Sequence, residues 1–356
     1  MAANLICTDQ LRQLLSEGPP AVLAGIITRA TGGRQVAAWE FVGSQELPGC
    51  AGYAAAKAVA RIAWHSTDGQ DGQVALIIKH FRGWRGGGES AVYARLAAQG
   101  APVPRCFGHF TDRQGEEVLV LERLPHVGFD LMRQDDRLAA ARSLALLHRL
   151  DRQPWLASGY RRQRFLDSLD RQRQSASEVL SVLVNGGVGE DLIQPAQAAL
   201  ALLSADPGLP ERLGQRADGL PWGLVHRDSS PQNAGWRDGR QELLWFDWHK
   251  ASLGCTLADL LPLFPELARR WTDDDTAVAA EYRTVSGVET DLGLALPPLA
   301  FLRILNTLTW HLDRCRDGRV DWTQDRDAGR ATYRGWTRRL LEELLILGHR
   351  CQETLP

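Results

Sequence analysis

Lysine is scarce in this chain. Only Lys57, Lys79 and Lys250 occur among 41 basic residues, and arginine fills the other basic positions. We attribute the imbalance to a compositional bias toward arginine and not to function. Against this bias, each of the three remaining lysines is a candidate for a role that arginine cannot fill.

Cysteine is also sparse, and no C-x-x-C pair occurs. A disulfide framework or a structural zinc site is therefore disfavoured, and reduced thiols in a cytoplasm fit the pattern better. The six cysteines are scattered along the chain at Cys7, Cys50, Cys106, Cys255, Cys315 and Cys351.

Long apolar runs are absent as well. No uninterrupted stretch approaches the roughly 18 residues that a membrane span needs, and the first residues, MAANLICTDQ, lack the basic and apolar regions of a secretory signal. The net charge of −2 and the pI near 6.5 also exclude the basic excess typical of proteins that bind nucleic acid or anionic membranes. We therefore expect a soluble, cytoplasmic protein.

The length of 356 residues exceeds one ordinary small domain and predicts two lobes. With 44% hydrophobic and 24% charged residues, the chain can build sizeable cores. Strand patterns are frequent as far as Leu124-Pro125 and rare afterwards. We therefore predict an N-terminal lobe, 1–125, and a mostly helical lobe, 126–356, in an α+β fold.

The pattern of the first lobe indicates an antiparallel meander with one main helix, because Asp-Gly turns separate its strands and no βαβ unit occurs. The predicted helices cover residues 8–16, which end before Pro19-Pro20, and 89–100. The predicted strands cover residues 35–42, 58–65, 74–81, 106–110 and 118–121.

The second lobe carries apolar residues at helical spacing over most of its length. Pro298 suits the first turn of a helix, so we place a helix start there. The predicted helices cover residues 136–150, 164–184, 194–203, 258–268, 276–284, 298–312 and 327–347.

The stretch 223–248 interrupts these helices with a different pattern. Its two apolar runs, 223–225 and 243–246, enclose the strong turn signal Arg237-Asp238-Gly239. This layout predicts that the two runs form a hairpin with carboxylates at both edges.

The polar residues of this stretch match the pattern H-R-D-x-x-x-x-N followed by a strand-end Asp, which is typical of kinase catalytic loops. Asp228 would accept or orient the proton of an attacking hydroxyl. Asn233 and Asp247, brought together by the turn, would offer the oxygen ligands that Mg²⁺ prefers. The alternative, that Asp228 and Asn233 only cap a loop, leaves Asp247 unexplained.

Lys79 stands inside the apolar strand VALIIKHF, where a charge is costly to bury unless it meets a partner or an anion. A lysine that reaches the nucleotide phosphates would meet that requirement, and Glu89 at the start of the next helix would hold it through an ion pair. The alternatives are a solvated strand face for Lys79 and a favourable helix-dipole position for Glu89.

The rest of a nucleotide site is less marked. Residues 43–52 would cover the phosphates, although neither G-x-G-x-x-G nor G-x-x-x-x-G-K-[ST] occurs there. The backbone from Glu122 to Leu124, just before the change of lobe, would hydrogen-bond an adenine edge.

Taken together, the motifs resemble the aminoglycoside phosphotransferase and choline kinase-like superfamily, which comprises small-molecule kinases with a bilobal protein-kinase-like fold. The matching pieces cover roughly residues 35–265 in the right order; they are IIKHF at Lys79, GGGESAVYARL at Glu89, VLVLERLP, ARSLALLHRL at His148, VHRDSSPQN, LLWFDW, and GCTLADL at 254–260.

The resemblance implies a role for each matching residue. Asp228 would be the catalytic Asp, Asn233 and Asp247 the Mg²⁺ ligands, and Lys79 with Glu89 the phosphate-binding pair. Further expectations are ATP or GTP as phosphate donor, a small-molecule hydroxyl acceptor, and Asp259 as the residue that holds the catalytic loop. The family often has Gly where this chain has Arg227.

Three departures separate the chain from protein kinases. Ser230 replaces the lysine two residues past the catalytic Asp, and Asp-Trp-His replaces D-F-G. Only eleven residues separate Asp247 from Asp259, too few for an activation segment. These departures favour a small-molecule kinase.

The acceptor stays open between aminoglycosides, choline, sugars and amino alcohols, and a catalytically inactive nucleotide-binding relative is the alternative from another class. Asp273–Asp275 would attract a cationic amine, but a charge run at a helix start is usually only solvated. Trp310, His311 and Asp313 could build an aromatic wall, although core packing explains most single tryptophans better.

Overall fold

The computed structural model describes residues 8–46, 56–81, 88–185, 190–237, 239, 241–316 and 328–354, with the side chains at 46, 56, 190, 309–316 and 328–334 outside that description. The chain divides into two compact units: unit 1 comprises 1–129 and 230–251, and unit 2 comprises 130–229 and 252–356. The predicted division into functional lobes, 1–125 and 126–356, stays a prediction.

Eleven helices and ten strands follow one another along the described part of the chain. They are α1 (Thr8–Glu17), α2 (Pro20–Ala30), β1 (Val36–Glu46), β2 (Ala56–Ser66), β3 (Asp71–His80), α3 (Glu89–Ala98), β4 (Cys106–Thr111), β5 (Glu117–Glu122), β6 (His126–Val127), α4 (Gln134–His148), α5 (Gln153–Ala157), α6 (Leu169–Asn185), α7 (Glu190–Ala205), α8 (Leu209–Asp218), β7 (Trp222–Val225), β8 (Ala234–Arg237), β9 (Glu242–Trp245), β10 (Ser252–Cys255), α9 (Asp273–Ser286), α10 (Leu292–Arg316) and α11 (Ala328–Thr354).

Unit 1 is built on a five-stranded sheet in the order β1-β2-β3-β5-β4, with every neighbouring pair antiparallel. The predicted five-stranded antiparallel sheet is therefore confirmed. Helices α1 and α2 pack against the sheet, and their leucines and isoleucines join its buried side chains in one apolar core. Leu76 and Ile78 of β3 belong to this core, and the same strand carries Lys79.

Helix α2 was not predicted. The pair Pro19-Pro20 was interpreted only as the end of α1, yet Pro20 also opens α2, where its missing N–H costs nothing. Leu23, Ile26 and Ile27 then follow at helical spacing and are buried. The same proline pair therefore ends one helix and begins the next.

Unit 1 also contains a small sheet in the order β6-β8-β9. The hairpin β8–β9 pairs Ala234 with Trp245 and Arg237 with Glu242, so the chain does reverse between these strands; Asp238 of the predicted turn lies outside the described residues. The predicted partner of the run 243–246 was wrong, however. Within unit 2 the run 223–225 lies in β7 and pairs with β10 instead.

Unit 2 is mostly helical, as predicted, with α4 packed on α9 and α10 packed on α6, α8 and α11. Two local predictions were wrong. Residues 256–263 form 3₁₀ turns where a longer helix was expected, and Pro298 lies inside α10, which begins at Leu292. No helix in the described ranges is long and apolar enough to cross a membrane.

Gly235 in β8 permits a close approach of two backbone segments. A Cβ atom built there would lie 2.9 Å from the carbonyl oxygen of His126 and 2.6 Å from a methyl group of Leu124. We expect Gly235→Ala to lower the free energy of unfolding by about 1–3 kcal/mol, because backbone must shift to relieve the overlap. Urea unfolding measures this change.

Gly25→Ala is the matched control for that substitution. Gly25 lies in the interior of α2, and its added Cβ would meet nothing nearer than 3.5 Å. Unfolding of this variant should occur at the parental urea concentration or slightly above it. Equal stability of the parent and Gly235→Ala would contradict the close packing of β8.

Candidate active site

Lys79 is a buried charged residue of unit 1. Its side chain is 3% exposed, and its Nζ donates to a carboxylate oxygen of Glu89 and, at 2.6 Å, to Oδ1 of Asp247. Burial alone would lower the pKa of Lys79, but the charges of Glu89 and Asp247 outweigh it and raise the pKa above its ordinary value. Lys79 therefore carries a firmly held positive charge.

Glu89 connects this lysine to the chain around Asp247. It is the first residue of α3 and is 3% exposed. One carboxylate oxygen accepts from Lys79, and the other accepts from the backbone N–H of Trp248 at 3.0 Å. A solvated helix start would leave both oxygens in water, so the ion-pair interpretation of Glu89 describes the observed contacts better.

Asp247 gathers three cationic or polar side chains on one carboxylate. Lys57 donates to its Oδ2 at 2.8 Å, while Lys79 and the imidazole Nδ1 of His249 contact its Oδ1 at 2.6 and 2.8 Å. Burial raises the pKa of this carboxyl, but the hydrogen bond with His249 and the charges of Lys79 and Lys57 hold it well below its usual range. Asp247 is therefore ionised at every physiological pH.

Lys57 and His249 were not predicted from the sequence as partners of Asp247. The scarcity of lysine pointed to Lys57, but nothing in the sequence shows which residue lies opposite it. In the structure Lys57 on β2 stands directly across from Lys79 on β3. The register of the strands is what brings both lysines to one carboxylate.

Asn233 lies beside Asp247 because the β8–β9 hairpin returns the chain. The backbone N–H of Phe246, next to Asp247, donates to the carbonyl oxygen of Asn233 at 2.9 Å. Asn233 is 8% exposed. The backbone of Asn233 thus lies against the residue that precedes Asp247, and an amide oxygen and an ionised carboxylate are ligands of the hard oxygen type that Mg²⁺ prefers.

Glu122 and Leu124 occupy the end of β5 and the segment after it. The Glu122 carboxylate binds Arg237 through two contacts, at 3.0 and 2.6 Å, and also accepts from the N–H of Arg105. Burial raises the pKa of Glu122, but the bonds with Arg237 and Arg105 bring it below its ordinary value. Its side chain thus ties β5 to β8, a contact that the sequence did not suggest.

The loop with Asp228 is held from within unit 2 by Asp259, which is 2% exposed. The Asp259 carboxylate accepts from the backbone N–H groups of His226 and Arg227 at 2.5 and 2.9 Å, and it lies 3.4 Å from Nε2 of His148. Burial raises the pKa of Asp259, but the bond with His148 and the neighbouring histidines bring it below the ordinary value. The ionised carboxylate therefore fixes the backbone on both sides of residue 226.

Asp228 itself is half-buried at the end of this anchored segment. Its N–H donates to Nδ1 of His226 at 3.3 Å, and the next residue, Ser229, donates its hydroxyl to the carbonyl oxygen of Asp259 at 2.7 Å. Asp228 thus lies between His226 and Ser229, which both hydrogen-bond to Asp259. These bonds fix the backbone on either side of Asp228.

Arg227 adopts the left-handed conformation, with φ of 66°. A glycine takes this conformation without the clash that a Cβ atom introduces, which explains why a glycine suits the position. The guanidinium of Arg227 binds the amide oxygen of Gln163. Asp247 is the other described non-glycine residue with positive φ, at 69°.

The structure describes one of the two patches that were considered for binding the acceptor, Asp273–Asp275. Asp275 is 2% exposed and completes a capping box with Thr272 at the start of α9, and it also forms an ion pair with Arg137. Its role is therefore structural, although Asp273 and Asp274 remain exposed. The side chains of Trp310, His311 and Asp313 lie outside the described residues.

Comparison with known proteins shows which family model and which solved structures this chain resembles. The model of the phosphotransferase enzyme family matches residues 63–295. No curated protein matches the chain. Among solved structures, spectinomycin phosphotransferase in complex with ADP and spectinomycin is similar, with a TM-score of 0.55, 11% identity, and coverage of 98% of this chain and 99% of that chain.

Two further solved structures are similar. A choline/ethanolamine kinase family protein from Mesorhizobium loti has a TM-score of 0.54 and 17% identity over 97% of this chain and 99% of that chain. A macrolide 2'-phosphotransferase from Brachybacterium faecium has a TM-score of 0.52 and 16% identity over 89% of this chain and 97% of that chain. These likenesses establish the fold, an α+β arrangement of the protein-kinase-like type.

Proposed function

Because the chain belongs to the phosphotransferase enzyme family, we propose that it transfers the γ-phosphate of ATP, or of GTP, to a hydroxyl group of a small polar or amine-bearing molecule. The observation that carries this proposal is the buried Lys79, which contacts Glu89 and Asp247 together. Phosphoryl transfer needs a fixed cation beside a carboxylate that can bind a metal ion, and this cluster offers both.

Each residue has a role in this proposal. Asn233 and Asp247 would hold Mg²⁺, which when bound neutralises charge on the phosphate oxygens. Lys79, held by Glu89, would bind the phosphates, and Asp228 would orient the acceptor hydroxyl and take its proton. Phosphoryl transfer depends mainly on positioning and charge, and the anchored loop supports that requirement.

The adenine edge would meet the backbone after β5. The N–H of Glu122 already donates to the carbonyl oxygen of Arg105 at 2.8 Å. We therefore assign the carbonyl oxygen of Glu122 and the N–H of Leu124 to the base. We further propose that the enzyme acts in a cytoplasm, where thiols such as the free Cys106, Cys255 and Cys351 stay reduced.

The acceptor class is the finer part of the proposal. The similar solved structures include a spectinomycin phosphotransferase, a macrolide 2'-phosphotransferase and a choline/ethanolamine kinase family protein, so aminoglycosides come first among the acceptors to test, and choline, sugars and amino alcohols second. The purified protein should be incubated with Mg²⁺ and ATP or GTP against such a panel. We expect one class to gain the mass of a phosphoryl group by mass spectrometry.

The same panel, combined with measurements of the unfolding temperature, distinguishes an active phosphotransferase from a catalytically inactive relative. If ATP, ADP or GTP raises the unfolding temperature while no acceptor is phosphorylated, the chain is a catalytically inactive nucleotide-binding relative. If neither nucleotide nor acceptor has any effect, the proposed function is wrong in both parts.

A further inference from the structure

Two of the three lysines of this chain converge on one carboxylate. Lys57 and Lys79 stand opposite each other on β2 and β3. Lys57 donates to Oδ2 of Asp247 at 2.8 Å, and Lys79 donates to Oδ1 at 2.6 Å. Each oxygen of Asp247 is therefore contacted by a different ammonium group.

Such a pair is not explained by sheet stability. Like charges directly opposite each other on antiparallel strands repel and destabilise the sheet. The side chain of Lys57 is 16% exposed and that of Lys79 is 3% exposed, so water screens the repulsion only partly. Arginine supplies nearly every other positive charge in the chain, whereas lysine is the compact point charge suited to a phosphate.

The two lysines differ in their partners. Lys79 has a second carboxylate, Glu89, in addition to Asp247. Lys57 is ion-paired with Asp247 alone among the described residues. If Asp247 turns to a metal ion, as the proposed function requires, Lys79 keeps a partner while Lys57 loses its own. A partly buried ammonium then needs another anion.

From this asymmetry, and resting on the proposed function, we infer that Lys57 is a second phosphate-binding lysine. It is paired with Asp247 in the free protein and is transferred to the β- or γ-phosphate of the nucleotide when the site is loaded. The phosphates then face two lysines from neighbouring strands. Lys79 has a fixed position through Glu89, and Lys57 moves between two anions.

The test measures nucleotide affinity by isothermal titration calorimetry, so it does not need an identified acceptor. Lys57→Met removes the charge and keeps the apolar length of the side chain. We expect its affinity for Mg²⁺-ATP to fall about ten- to a hundredfold, the usual effect of losing one charge-assisted bond, while its affinity for AMP changes less than about twofold. Lys57→Arg should recover most of the affinity for Mg²⁺-ATP.

Arg61→Met is the matched control. Arg61 is an exposed cation on the same face of β2, about 13 Å along the strand from Lys57. Its loss should leave the affinities for Mg²⁺-ATP and AMP unchanged. Circular dichroism and the unfolding temperature show whether each variant is folded, and Lys57→Gln, which also removes the charge, replaces Lys57→Met if the latter is not.

Several results would overturn the inference. Parental affinity of Lys57→Met for Mg²⁺-ATP would show that Lys57 does not reach the phosphates. Equal losses for ATP and AMP would assign it a structural role, and tighter binding of Mg²⁺-ATP would make it a competitor for Asp247. If the parent protein binds neither ATP nor GTP, the proposed function fails first and the inference falls with it.

Discussion

Asp228→Asn is expected to lower the rate of phosphate transfer at least about a hundredfold, the usual contribution of a positioned general base. The substituted amide can still accept a hydrogen bond, but it cannot take the proton of the acceptor hydroxyl. Asp228 is half-buried, and its backbone is held through His226 and Ser229. The fold and the affinity for Mg²⁺-ATP should therefore stay close to those of the parent.

The measurement is the initial rate with the acceptor that the panel identifies, together with the affinity for the nucleotide. Asp170→Asn is the control, because the side chain of Asp170 is 99% exposed on the same unit. Transfer by Asp228→Asn within about tenfold of the parental rate would remove Asp228 from the mechanism, since a general base is worth more than that.

Asp259→Asn is expected to have the largest effect on stability. The carboxylate is 2% exposed and accepts from the N–H groups of His226 and Arg227. An amide replaces one accepting oxygen by a donor that faces another donor, so one buried group loses its partner. We expect a loss of about 3–5 kcal/mol in the free energy of unfolding, together with loss of phosphate transfer.

The pH dependence of this difference tests its electrostatic origin. The pKa of Asp259 in the folded protein lies below the ordinary value of 3.8. The ionised carboxylate therefore stabilises the fold fully at neutral pH, and the stabilisation is lost as the pH falls from about 3.8 through the lower folded value. Urea unfolding of parent and variant should show a difference that shrinks in acid. A difference that is constant with pH would indicate a purely steric effect.

The contact between Lys79, Glu89 and Asp247 has a physical reason that can be read from the sequence. A charge inside an apolar strand must find a partner, and Lys79 does find Glu89 and Asp247. The pairing of β8 with β9 likewise brings Asn233 and Phe246 together. Patterns of this kind can be recognised in the sequence because each involves residues whose burial or turn geometry demands a nearby partner.

Long-range pairing could not be predicted in the same way. The run 243–246 and the run 223–225 are both apolar, and either could pair with any short strand. The register between β2 and β3, which places Lys57 opposite Lys79, is invisible in a single sequence. The bond from Arg237 to Glu122 spans 115 residues and carries no local signature.

The strained backbone conformations could not be predicted from the sequence either. Arg227 and Asp247 adopt positive φ without being glycines, and the surrounding hydrogen bonds compensate for the cost of about 1–3 kcal/mol each. The Asp259 carboxylate provides that compensation next to Arg227, and Lys57, Lys79 and His249 provide it at Asp247. Propensities alone would have placed glycine at both positions.

The burial of Trp248 has a consequence for inhibition. In protein kinases the packing of the phenylalanine in D-F-G separates active from inactive states. Trp248 follows Asp247 in its place, with its backbone N–H bound to Glu89, its indole N–H bound to the carbonyl oxygen of Trp245, and 1% of its surface exposed. Withdrawing this side chain would cost about 3–5 kcal/mol. Compounds that need the segment displaced would lose at least about a hundredfold in affinity, so effective inhibitors should be those that accept it as it stands.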